Sequence, residues 1–352
     1  MNLDDLERLR LLDAHNMLQE IDHLPQQLQT AWKLGQTADL PADIEISRVL
    51  VAGMGGSAIG ADLLAAYIAP LCPVPVFVHR EYGLPAWASG RETLVIASSH
   101  SGNTEETLDA FEIALERGCT LLALCAGGEL EQRAHIAHVP IWKFEHAGQP
   151  RAAVGYSFGL LLALFSRLDL IPNPQAELDE AIESMLGSQE SWRAEVPVVK
   201  NPAKRLAGQL IGRWVNVYGA GILAPVARRW KTQINELAKA GAGFEILPEA
   251  DHNALAGLEN PEMLSQTITL FLQAGADHPR NRLRVHLTRQ AFLVAGLNQD
   301  MVEAQGRSPL AQMWTTLLLG DYIAFYLAIA YGVDPTPVEA LQAFKAALRS
   351  AA

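Results

Sequence analysis

Two short stretches of the chain concentrate glycine and hydroxyl side chains in a pattern suited to binding an anion. The first is Gly53-Met54-Gly55-Gly56-Ser57, where Gly53, Gly55 and Gly56 let the backbone approach a ligand and Ser57 offers both its N–H and its hydroxyl. The second, SSHSGNTEET, crowds Ser99, Ser101 and Thr104 around Gly102. One Ser or Thr is enough to cap a helix, so the remaining hydroxyls are left for an external anion such as a phosphate group. A glycine turn used only for packing is the plainer alternative for the first stretch alone, and the two stretches together argue against it.

Two familiar nucleotide sites do not fit. GMGGSAIG (residues 53–60) comes near the dinucleotide pattern, but no Asp or Glu ends the next strand, where His79 and Arg80 stand instead. A Walker loop would need a Gly-Lys-Ser/Thr ending, which is absent.

The elements around these stretches alternate. Apolar spacing predicts helices over 3–33, then a short buried strand at 48–52 leading into the first glycine turn and a helix over 58–67. Strands follow at 74–78 and 93–97, the latter entering the hydroxyl-rich stretch and a helix over 104–117. Further strands at 119–125 and 138–143 enclose a short helix, and a buried helix over 155–169 closes this part. The Pro- and charge-bearing segment from Ile171 to Trp192 reads as a connection. A second series then begins with a strand at 214–218, the turn Gly219-Ala220-Gly221, a long helix over 222–240 and strands at 244–247 and 268–272. Helical periods over 310–332 and 338–350 are split by the stop GVDPTP. Strand, loop and helix in repetition mean parallel sheets flanked by helices, and the fold expected is α/β with two doubly wound halves. The divisions expected are N-terminal helices over 1–45, a first domain over 46–170 and a second over 171–352.

Composition narrows the partners. The 352 residues carry a formal charge of −12 and no basic run, a field that repels a nucleic-acid backbone. A small phosphorylated ligand is compatible with that field, because a local nest of N–H groups outweighs distant, screened charge. Cys72, Cys119 and Cys125 are too few and too irregular for a disulfide framework or a zinc site. The N-terminus is acidic and lacks an apolar signal core, and no apolar stretch is read as reaching the length of a membrane span; a cytoplasmic location and no membrane partner are expected.

The motifs are specific enough for a resemblance. SSHSGNTEET resembles the phosphosugar signature of sugar isomerase (SIS) domains, and GMGGSAIG their other phosphate-facing loop. YGAGILAPVARRWKTQINELAKAGAGFEILPEADHNALAG and DYIAFYLAIAYGVDPTPV resemble the bifunctional phosphoglucose/phosphomannose isomerase family, in consistent order over roughly residues 45–345. The resemblance implies two SIS-type domains and an aldose–ketose isomerase acting on a phosphorylated hexose through a cis-enediol. It implies that Gly56, Ser57, Ser99, Ser101 and Thr104 hold the phosphate, Glu236 shuttles the proton, His252 opens the ring, Arg151 lies beside the sugar and Lys345 assists. It also implies a homodimer with the site at the interface. The enediol route requires neither metal nor redox cofactor, and no HExxH or HxxxH motif is present.

Each carried-over residue has a plainer alternative. Glu236 could lie on a solvated helix face with Lys231 or Lys239 as partner. Asp251, next to His252, could be a cap, and Lys345 reads as an exposed lysine on a terminal helix. Arg151 opens a helix, where the dipole disfavours a cation, which suggests a task other than helix stability. Thr336 is a candidate for contacting the sugar, or a turn residue in DPTP. Two departures stand out: His100 where many relatives carry Tyr, and Leu237, expected to narrow the pocket, where a small polar residue is usual. The rival reading is a non-catalytic phosphosugar-binding regulatory protein, which would ordinarily carry a basic DNA-binding head.

Overall fold

The computed structural model describes residues 2–41, 45–264 and 266–351. Leucine spacing in the N-terminal segment gives α1 (Leu6–Leu12), α2 (Met17–Asp22) and α3 (Leu24–Thr37). Asp5 caps α1 by accepting from the Arg8 N–H at 3.0 Å. Strand and helix then alternate as β1 (Arg48–Ala52), α4 (Gly55–Ile68), β2 (Val76–His79), β3 (Thr93–Ser99), α5 (Glu105–Glu116), β4 (Thr120–Cys125), α6 (Gly128–Ile136) and β5 (Ile141–Lys143). A 3-10 turn at Pro150–Ala152 leads into α7 (Val154–Arg167).

The five strands pair in parallel in the order β2-β1-β3-β4-β5. Every residue of β3 and β4 is buried, which is why both read as unbroken apolar runs rather than alternating ones. Leu50, Val95 and Leu121 pack in one cluster with Phe111 of α5 and Leu130 of α6.

The second series runs α8 (Gln175–Trp192), α9 (Pro202–Leu210), β6 (Trp214–Ala220), α10 (Ala224–Ala238), β7 (Ala242–Leu247), β8 (Thr267–Gln273), α11 (Pro279–Val294), β9 (Asn298–Glu303), α12 (Pro309–Tyr331) and α13 (Glu339–Ala351). Its sheet is also parallel, in the order β7-β6-β8-β9. Tyr218, Phe271 and Phe292 form the aromatic centre of one core, with the Tyr218 and Phe271 ring centroids 4.9 Å apart. The chain forms two compact units, one of His23–Leu186 with Gln305–Trp314, the other of Met1–Asp22, Gly187–Ala304 and Thr315–Ala352.

Two expectations are corrected. The segment read as a connection holds the 18-residue α8, and its prolines at 172 and 174 precede the helix rather than break it. One apolar stretch does have the length of a membrane span: α12 runs 23 residues at mean hydropathy 1.4 in its most apolar window, of which 89% is buried inside the structure. That burial marks a core helix, which passes the same length test.

Candidate active site

In an open parallel sheet, ligands settle where the strand order reverses, outside the carboxyl ends of the two central strands. In the first sheet that point lies between β1 and β3, and both hydroxyl-bearing loops leave the sheet there. Ser57 sits in the first turn of α4, almost buried, and its Oγ accepts from the His100 N–H at 3.2 Å. The two loops are thus joined. Thr104 is the N-cap of α5 but makes no side-chain cap bond; its Oγ1 lies 2.9 Å from Ser99 Oγ instead. Ser101 is exposed, and its Oγ accepts from the Asn103 N–H at 3.2 Å. Two helix N-termini and four hydroxyls therefore meet at one edge of the sheet, an arrangement able to hold a phosphate by charge-assisted hydrogen bonds.

Arg151 stands beside this edge. It lies in the 3-10 turn before α7, only 5% exposed, and its Nη1 donates to Gln149 Oε1 at 3.3 Å. The turn is pressed on the start of α4: a Cβ built on Gly56 would come 2.4 Å from the Pro150 carbonyl oxygen and 3.3 Å from Arg151 Cα. Only a residue without a side chain permits that approach. His146, in the segment leading to Arg151, meets the His100 ring at 2.9 Å, and Phe144 stacks on Tyr156 with centroids 5.1 Å apart.

The remaining expected residues lie in the unit of the second sheet. Glu236 is in the last turn of α10, half-buried. That helix is fixed to α12 by a buried fork in which Arg229 Nε and Nη2 donate to Asp321 Oδ1 and Oδ2 at 3.2 and 2.8 Å. Trp230 adds an indole N–H to the Thr316 carbonyl at 2.9 Å. Lys239 ends the helix in a left-handed conformation at φ 55°, and its Nζ donates to the carbonyls of Glu236, Leu237 and Asp334 at 3.0, 3.1 and 2.8 Å. This ties the end of α10 to the turn bearing Thr336, whose N–H donates to Asp334 Oδ1 at 2.8 Å. Thr336 is 9% exposed.

His252 closes a 3-10 turn after β7 and is exposed; neither its side chain nor that of the exposed Lys345 of α13 makes a hydrogen bond or ion pair in the described structure. Asp251 is not a cap: its carboxylate accepts from Arg284 Nη1 at 3.0 Å and Thr288 Oγ1 at 2.8 Å, anchoring the turn to α11. Leu237 has no exposed surface, which corrects the expectation that it narrows a pocket. Among the described residues no group of three or more His, Cys, Asp or Glu is placed to hold a metal ion. His146 carries no motif, and only its contact with His100, distant in the chain, singles it out.

Comparison with known proteins adds to this geometry. Residues 44–155 match the family model "SIS domain", and residues 199–348 match "Bacterial phospho-glucose isomerase C-terminal SIS domain". A bifunctional phosphoglucose/phosphomannose isomerase of Caldicellulosiruptor bescii is 38% identical over 334 residues, 94% of this chain and 98% of the relative. One of the same name from Aquifex aeolicus is 34% identical, covering 86% of this chain and 90% of its own. Among solved structures, a hypothetical protein of Thermus thermophilus superposes with a TM-score of 0.76 at 18% identity, covering 98% of this chain and 93% of the other. That likeness bears on the fold.

Proposed function

Since the chain belongs to the bifunctional phosphoglucose/phosphomannose isomerase family, we propose that it interconverts glucose 6-phosphate and mannose 6-phosphate with fructose 6-phosphate through a cis-enediol. The observation that carries the reading is the meeting of Ser57, Ser99, Ser101 and Thr104 at the reversal point of the first sheet, in a chain whose relatives bear this name over nearly their whole length. The phosphate is held by these hydroxyls and the N–H groups of the 56–57 turn. His252 opens the ring by moving a proton between the ring oxygen and the anomeric hydroxyl. The Glu236 carboxylate takes the proton from carbon 2 of the open aldose, giving the enediolate, and returns it to carbon 1, while the proton of the carbon-2 hydroxyl passes to the carbon-1 oxygen by way of the cis-enediol, to give the ketose. In reverse, delivery to one or the other face of carbon 2 distinguishes glucose from mannose. Arg151 stabilises the negative charge that develops on the enediolate oxygens. Lys345 and Thr336 complete the sugar contacts.

In this reading residues 46–170 supply the phosphate loops and residues 171–352 supply Glu236 and His252, with 1–45 packed on the core. The working form is a homodimer in the cytoplasm, with the partner chain contributing the ring-opening histidine.

The test is direct. Purified protein is mixed with fructose 6-phosphate, and glucose 6-phosphate and mannose 6-phosphate are followed separately. Glu236→Gln is expected to lower kcat by about 100- to 10,000-fold, the usual contribution of a general base, while sugar-phosphate binding is retained. Full activity in that variant would remove Glu236 from the chemistry, and loss of binding along with turnover would make its role structural.

A further inference from the structure

The second sheet repeats the arrangement of the first at its own point of reversal. Its order β7-β6-β8-β9 corresponds to β2-β1-β3-β4, so the glycine turn after β6 matches the turn after β1, and the loop after β8 matches the hydroxyl-rich loop after β3. After β6 the chain enters a 3-10 turn at Gly221–Leu223 and then the 15-residue α10, so a helix N-terminus again faces the end of the sheet. The loop after β8 differs. It reads Ala274-Gly275-Ala276-Asp277 and carries no hydroxyl.

In place of hydroxyls the loop sends a carboxylate to the glycine turn. Asp277 is 5% exposed and its Oδ2 accepts from the Ala274 N–H at 2.8 Å. Its Oδ1 is buried with no hydrogen-bond partner and stands 3.1 Å from where a Cβ on Gly221 would be, that residue being at φ +50°. Burial pushes the carboxyl up to about 6, against the Ala274 bond and the nearby Arg282 guanidinium. A half-satisfied buried carboxylate is a costly group to keep. Its position suggests what it replaces: a negative group, with an unused oxygen, at the one place where an open sheet of this kind takes an anion.

We propose that Asp277 is a built-in anion that fills the phosphate position of the second sheet's turn, so that the chain takes a phosphate ester at the first sheet only. The proposal rests on the reading of the first turn as a phosphate site. Two identical topological positions would otherwise compete for one substrate. The carboxylate closes one of them by occupying its space and by repelling a second negative charge in a water-poor setting.

The experiment counts bound ligand. Sorbitol 6-phosphate, which has no carbonyl and cannot be isomerised, is equilibrated by dialysis with the full chain, wild type and variant. Wild type is expected to bind one equivalent per chain, and Asp277→Ser, which restores a hydroxyl and removes the charge, two, the second weaker. Asp277→Ala, which clears the space and removes the charge, is carried in parallel should the serine variant fail to fold, and a second equivalent is expected there too. Folded variants that stay at one equivalent, or a wild type that already binds two, overturn the proposal. A wild type that binds none strikes at the first turn's role instead; gain or no gain in the Asp277 variants then still decides for or against the plug.

Discussion

The rings of His100 and His146 meet at 2.9 Å, Nε2 to Nδ1, and so join the hydroxyl-rich loop to the segment that delivers Arg151. One ring donates and the other accepts, while the backbone N–H of His100 is spent on Ser57 Oγ. His100 is therefore held at both ends, and with it the spacing between Ser99, Ser101 and the 150–152 turn.

Replacing His146 by Phe keeps an aromatic ring in the cluster with Phe144 and Tyr156 but removes the bond to His100. Loss of one hydrogen bond of about 1 kcal/mol corresponds to about a fivefold change in an equilibrium. KM for fructose 6-phosphate is expected to rise by about that factor with kcat little changed, since the bond positions the phosphate-holding loop rather than the reacting carbons. Steady-state kinetics decide it: an unchanged KM, or a kcat that collapses, would show that the histidine pair does something else.

Asp277 gives a stability prediction of definite sign. Its carboxyl is raised by burial from 3.8 to about 6, so ionisation is disfavoured in the folded chain. The folded state binds the proton more tightly than the unfolded one, and the cost of keeping the charge is fully present above about pH 6 and absent below about pH 4. Asp277→Asn removes that cost. The variant is expected to be more stable than wild type by about 1–3 kcal/mol at pH 8, the gap closing as the pH falls toward 4. Thermal midpoints of both proteins across that range check it; a gap that widens in acid has the wrong sign.

The sheets were legible because their central strands are buried on both faces and so appear as short apolar runs bounded by glycine: β1 falls where the run RVLVA predicts it. The two loops of the first sheet were legible for a related reason, since hydroxyls beyond the needs of a cap stand out in a linear sequence. What escaped has weaker local signals. β9, NQDMVE, buries only Val302, so neither an apolar run nor alternation marks it. α8 was hidden by prolines that in fact precede its first turn, and α11 by an arginine-rich sequence that leaves Leu283, Leu287 and Leu293 in solvent. The His100–His146 bond and the placing of Asp277 against Gly221 join residues far apart in the chain, and no spacing rule reaches them.

Gly56 tests whether the contact between α4 and the Arg151 turn matters to function. In an unconstrained helix, Gly→Ala stabilises by up to about 1 kcal/mol because glycine has more freedom to lose. Gly187 in α8 is such a position, exposed and with nothing within 4 Å of an added Cβ, and Gly187→Ala is expected to raise the thermal midpoint by a degree or two. At Gly56 the same methyl would lie 2.4 Å from the Pro150 oxygen and 3.0 Å from its carbonyl carbon, both backbone atoms that cannot rotate aside. The clash reverses the sign. Gly56→Ala is expected to lower the midpoint and, because the displaced turn carries Arg151 away from Ser57, to cut kcat/KM at least about tenfold, the loss that about 1.4 kcal/mol of misplaced transition-state contact produces. Calorimetry and initial rates on the two variants side by side check both halves; a Gly56→Ala protein that matched Gly187→Ala in stability and wild type in rate would mean that the close approach of the two turns has no part in catalysis.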